Sequence, residues 1–171
     1  MRLLIGLGGP RTVGAVLTGV TALYLTLVVF NNITDFGTNH AFVQHVFAMD
    51  TTFKSPDTSW RAITSPALVN IAYVLIIAWE AATAVVLIIA TVSWLRSATE
   101  VARRIGSLGL AMMLLLFGGG FIAIGGEWFC MWQSKQWNGL QAALQNVIIA
   151  GVALIVTQVL DRVRTTAPPA A

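Results

Sequence analysis

The chain has 171 residues, 57% of them hydrophobic and only 10% charged, with a formal net charge of +3. A soluble globular domain carries roughly 25% charged residues, so this composition excludes one and identifies a membrane protein. The basic residues flank apolar runs instead of forming one patch, which argues against a nucleic-acid partner. The single cysteine, Cys130, excludes an intramolecular disulfide framework and a Cys-only metal cage.

Apolar runs long enough to cross a hydrocarbon core, about 20 residues each, fall at roughly 12–32, 67–95, 106–125 and 140–160. They leave no room for a separate soluble domain, so the chain is one integral membrane domain with a tail over residues 165–171 expected to be disordered. The first run follows Arg2 and Arg11 but exceeds the roughly 7–15 residues of a signal h-region. It is expected to be an uncleaved span. Its polar residues Thr21, Tyr24, Asn32 and Asp35 fall in one stripe at helical spacing, which should face the bundle interior or a wet cavity.

The loop after it contains FVQHVFAM, with Phe42, Val43, Val46 and Phe47 on one side and Gln44 and His45 on the other. This pattern predicts a short interfacial helix. His45 and Met49 stand at i and i+4, and with Glu127, Cys130 and Met131 of the second outer loop they are weighed as a soft metal site against a solvated interfacial helix. His40 and His45 point to different sides of a continuous helix and do not form a pair.

The second span, opened by Pro66, places Asn70, Tyr73, Ile77, Glu80, Ala84 and Thr91 on one side. Glu80 lies near the middle of the run, where an ionised carboxylate costs at least a few kcal/mol. It is read either as a neutral acid hydrogen-bonded to its neighbours or as a proton or cation site. In the third span, Gly118–Gly120 permit close helix packing or a bend. The fourth begins with Gln141, Gln145 and Asn146, and no internal repeat is apparent. The groups Asn32, Asp35, Asn70, Tyr73, Glu80, Gln145 and Asn146 are expected to converge on a polar pocket that opens outward and ends at Glu80.

Arg2 and Arg11, then Arg96, Arg103 and Arg104, then Arg162 and Arg164 mark the same side of the membrane. With positive residues retained inside, both termini face the cytoplasm. The segment GGEWFCMWQS is then an outer rim, where Trp128, Trp132 and Trp137, with Trp60 of the first loop, suit an interfacial aromatic belt or a cage for a cation. Arg61 is expected to pair with Glu127 or Asp35. Cys130, flanked by Phe129 and Met131, is weighed as a buried hydrophobe against a nucleophile, a lipidation site or an intermolecular disulfide.

The strings NNITDF, FVQHVFAMDTTF, WRAI, AYVLIIAWE and GGEWFCMWQSKQWNG resemble the DUF2165 family of predicted small integral membrane proteins of bacteria, from about Thr21 to the end of the fourth span. The resemblance implies a four-span protein of the bacterial cytoplasmic membrane and no particular reaction. It singles out Asn32, Asp35, Tyr73 and Glu80, and a rim of His45, Asp50, Arg61, Glu127, Trp128, Trp132, Gln133, Trp137 and Asn138. Cys130 occupies a variable slot of that pattern.

The expected fold is an all-α, four-span transmembrane helix bundle with a short interfacial helix in the first outer loop. No catalytic triad, phosphate loop or intramembrane His pair is found, and neither a catalytic residue nor a cofactor or metal is called for. The expected function is a non-catalytic ancillary or interaction subunit of a larger membrane assembly. The alternative is a small transporter or ion-binding protein using Glu80. The expected partners are the lipid bilayer and either another membrane protein or a second copy of the chain.

Overall fold

The computed structural model describes residues 8–97 and 99–166, with side chains through residue 159. Arg2 and residues 167–171 of the tail lie outside the described residues, as do the side chains of Arg162 and Arg164. No strand occurs among the described residues. The elements are α1 (Pro10–Thr34), α2 (Phe36–Ala48), α3 (Pro56–Ser59), α4 (Pro66–Leu95), α5 (Thr99–Leu114) and α6 (Leu140–Thr166). Between the last two, the chain runs through a π-helical segment, Leu115–Trp128, and a 3₁₀ turn, Met131–Gln133.

Four helical stretches are long and apolar enough to cross a membrane: Pro10–Thr34, Pro66–Leu95, Thr99–Trp128 and Leu140–Val159. Proline opens α1, α3 and α4 in the first turn, where its missing N–H removes no intrahelical bond. The third stretch exceeds the expected 106–125 at both ends. Its start is polar but self-satisfied, since Arg103 and Arg104 both bond Glu100 within one turn. Residues 165 and 166, expected in the tail, continue α6.

The spans form an antiparallel bundle in which α1 packs along α4, α4 along α5 and α5 along α6, while α6 closes more sparsely on α1. Leu25, Leu87, Leu110, Met113 and Phe117 fill its centre. Small residues set the closest approaches. A Cβ on Gly14 would stand 2.5 Å from the Trp94 ring, and one on Gly109 would stand 2.7 Å from Leu87. By contrast, Gly118, Gly119 and Gly120 have only ordinary contacts at the Cβ position, 3.5–3.7 Å away. The glycine triplet therefore does not mediate close packing. It sits where the helix widens to i→i+5 bonding, which ends with the Phe129 N–H on the Ile124 carbonyl at 3.0 Å.

One end of the bundle is marked by arginine. Arg11 donates to the Trp94 carbonyl at 2.7 Å and to the Leu95 carbonyl, satisfying the last acceptors of α4. Arg103 reaches across to Gln158, which bonds Ser107. The opposite end is a cap made of α2, α3 and the 129–139 loop. The first-loop helix begins at Phe36, six residues before FVQHVFAM. It follows α1 after one non-helical residue, Asp35, whose N–H still bonds the Asn31 carbonyl at 2.8 Å. It ends at Met49 in the left-handed conformation. The apolar side seen in the sequence is the one it packs inward: Val43 joins Val69 and Tyr73, and Val46 joins Met49, Phe129 and Met131.

Candidate functional site

Two groups of polar side chains stand out, one between the spans and one in the cap. In the first, Asn32 Nδ2 donates to Glu80 Oε2 at 2.7 Å, and Asn32 Oδ1 accepts from Asn39 Nδ2 at 2.7 Å. The Tyr73 hydroxyl donates to the Asn32 carbonyl at 3.2 Å. Glu80 and Tyr73 are buried at 3% and 2% exposure and Asn32 at 7%, whereas Asn39 is exposed. A single hydrogen-bonded ladder thus leads from the cap-side surface to a buried carboxyl group. Among the described residues Glu80 has no Lys, Arg or His partner.

The depth of the ladder follows from helix geometry. Glu80 is the middle of α4, but α4 has 30 residues, so at 1.5 Å per residue it overruns a hydrocarbon core of about 30 Å. Glu80 lies about 21 Å along the axis from Trp94. Its partner Asn32 is two residues from the end of α1. The carboxyl group therefore sits at the middle of α4, level with the cap-side end of α1.

The expected pocket forms only in part. Asn32, Tyr73 and Glu80 come together, while Asn70 and Gln145 are exposed on their helices and Asp35 is exposed and accepts from Thr38 at 3.0 Å. Asn146 is buried at 5% exposure, yet its amide bonds the Ala142 carbonyl of its own helix and its Oδ1 has no partner. The expected polar stripe on α1 lies off-centre from its buried face. Thr21 and Asn32 face inward, but Tyr24 and Asp35 fall on its exposed edge, about 80–100° around from the buried line that runs through Leu25. Asn39 and His40 belong to the site and were not anticipated. His40 lies beside Tyr73 with ring centroids 6.0 Å apart, and its buried Nε2 has no partner. The available signal was the two-turn spacing from Asn32 to Asn39, legible only if helix is continued past Asp35.

The cap binds its two loops to each other. Thr51 donates to Ser134 Oγ at 2.8 Å, and the Phe53 N–H donates to Gln133 Oε1 at 2.9 Å. His45 Nδ1 lies 2.6 Å from Asp50 Oδ2, and its ring stacks on Trp137 at 4.4 Å. Asn138 Oδ1 accepts the Leu140 N–H at 3.1 Å and caps α6. Trp132 meets Phe53 edge-on, and Trp128 meets Trp60. The tryptophans are therefore fasteners of the cap.

Arg61 does not pair with Glu127 or Asp35. Its Nη1 donates to the Trp128 carbonyl at 3.2 Å, and its guanidinium lies 4.8 Å from the Trp128 ring centroid and 5.6 Å from that of Trp60. Arg61 sits over indole faces because a planar, weakly hydrated cation gains there what an exposed ion pair would not supply. Glu127 is exposed. The side chains weighed as a soft metal site separate: Met49, Cys130 and Met131 are buried in one apolar cluster, while His45 turns to Asp50. No group of three or more His, Cys, Asp or Glu suited to a metal ion occurs among the described residues.

The arrangement holds one buried carboxyl group, hydrogen-bonded to an amide, beneath a cross-linked cap. Neither a curated protein nor a solved structure matches the chain significantly. A family model described as a predicted small integral membrane protein, DUF2165, matches residues 11–159, which takes in all four spans and the whole cap. The chain therefore belongs to the DUF2165 family of small integral membrane proteins.

Proposed function

We propose that the protein is a non-catalytic ancillary subunit that docks in a larger membrane assembly. The observation that carries this reading is the inward satisfaction of its polar groups. His45, Gln133 and Ser134 are each engaged by another residue of the cap, and Asn138 by the start of α6, which builds a fixed shape in place of a set of reactive groups. The spans meanwhile bury only 22–28% of their most apolar windows within the chain, leaving long faces for lipid or a partner helix. In the bacterial cytoplasmic membrane the arginine end lies on the cytoplasmic side and the cap outside. Purification of the tagged chain in mild detergent tests the proposal. A stoichiometric membrane partner is expected, and a chain that elutes alone or only with itself under every mild extraction overturns it.

A second reading is favoured by one observation, the Asn39–Asn32–Glu80 ladder ending on a carboxyl group with no basic partner. In that reading Glu80 exchanges a proton or holds a cation reached from the cap side. Its carboxyl infrared band would then change between the acid and carboxylate forms with pH or added sodium. A band that stays in the protonated form throughout, in a protein where Glu80→Gln keeps its phenotype, reduces Glu80 to a structural fastener.

A further inference from the structure

An apolar cavity of about 260 Å³ lies beneath the cap, between α4 and the π-helical segment. Val46 and Phe47 of α2 roof it, Leu75 and Ile124 form its sides, and Gly120 lies among its lining residues. Leu75 and Ile124 are themselves 63% and 54% exposed, so the cavity opens sideways between two spans through apolar side chains. Its size falls just below the roughly 300–1,000 Å³ typical of small-molecule clefts. It therefore suits one flexible chain better than a broad, rigid cofactor.

A cation stands beside the outer end of this cavity. Arg61 bonds the carbonyl of Trp128, and the next residue, Phe129, lines the cavity. The indoles of Trp60 and Trp128 lie against the guanidinium, and among the described residues no acid pairs with it and its buried Nε has no hydrogen-bond partner. A guanidinium without an acidic partner donates strong, charge-assisted N–H bonds to phosphate. Positive charge at the mouth and an apolar slot behind it complement one kind of molecule, an anion carrying a hydrocarbon chain.

We propose that the cavity is a lipid site, in which an acyl chain of an anionic phospholipid from the cap-side leaflet lies between α4 and the π-helical segment and its phosphate meets Arg61. The widened helix serves the site, because glycine at position 120 leaves room that a side chain would occupy. The cap-side leaflet supplies the lipid directly, with no route through water.

The test uses the full chain in nanodiscs of phosphatidylcholine, with phosphatidylglycerol added and the retained lipid read by native mass spectrometry and thermal shift. Wild type is expected to retain phosphatidylglycerol several-fold over phosphatidylcholine. Arg61→Gln should lose that preference while still retaining a lipid. Ala72→Leu, which places a larger side chain in the cavity wall, should lose retention of both lipids without lowering the melting temperature measured in lipid-free detergent. Equal retention of the two lipids by wild type overturns the proposal. So does unchanged retention in Ala72→Leu, or stabilisation by inorganic phosphate that matches the phospholipid. If both variants fail to fold, the wild-type headgroup comparison still decides.

Discussion

Asn32 joins α1, α2 and α4 through one side chain and one carbonyl, donating to Glu80 while accepting from Asn39 and Tyr73. Removing the acceptor at position 80 strands a buried donor, which costs about 1–3 kcal/mol. Glu80→Leu is accordingly expected to lose that much stability in detergent unfolding, and Glu80→Gln, which still offers an oxygen to Asn32, less than about 1 kcal/mol. Equal stability of the two variants would remove Glu80 from the structural ladder. A double variant of Glu80→Leu with Asn32→Ala should lose less than the sum of the single losses, because the second change removes the stranded donor. Glu80 and Tyr73 were legible in the sequence because a carboxylate and a phenol at helical spacing in an apolar run have no inexpensive place except the interior. Asn39 was not, because the polar stretch GTNH reads as loop, whereas in the structure it is helix, with Phe36 and His40 packed against Tyr73. Gln145 and Asn70 failed for the opposite reason: near a span end a polar side chain can reach headgroups or water, so periodicity does not compel it inward.

The spans themselves follow from length and hydropathy, and their limits from Pro10, Pro66 and Asn138. The π-helical segment does not follow, since i→i+5 and i→i+4 bonding satisfy the same backbone groups and leave no distinct composition beyond the glycine triplet. The glycines divide by what a methyl group would meet. At Gly14 the added Cβ reaches the edge of a Trp94 ring that is itself buried at 4%, so the ring or α1 must shift. Overpacking of this kind costs typically about 1–3 kcal/mol, and Gly14→Ala is expected to lose that amount. Gly119→Ala meets only Leu115 at 3.5 Å and gains helix propensity of up to about 1 kcal/mol. It should be neutral or more stable in the same unfolding assay. A loss at Gly119 matching that at Gly14 would show that the widened segment depends on glycine itself, and no loss at Gly14 would show that α1 and α4 are not held at the close approach described.

At the scale of the molecule, the two ends differ in how they hold charge. Arg11, Arg96, Arg103 and Arg104 cluster at one end, while the cap mixes Lys54, Arg61 and Lys135 with Asp50, Asp57 and Glu127. That asymmetry is the basis for placing the cap outside the cell. The native thiol is a poor reporter of it, because Cys130 is 5% exposed, adopts a left-handed conformation at φ 53° and directs its Sγ toward the Glu127 carbonyl at 3.7 Å. The sequence left Cys130 between a buried hydrophobe and a reactive thiol with access to water. Packing against Met49 and Met131 removes that access. Orientation is better read from new thiols in a Cys130→Ala background, one at each end. Lys135 and Ser97 are both exposed, so neither Lys135→Cys nor Ser97→Cys disturbs the core. Lys135→Cys is expected to react with a membrane-impermeant maleimide in intact spheroplasts, and Ser97→Cys only after permeabilisation. The reverse pattern would turn the molecule over, place the cap in the cytoplasm, and move the lipid site and the ladder entrance to the inner leaflet with it.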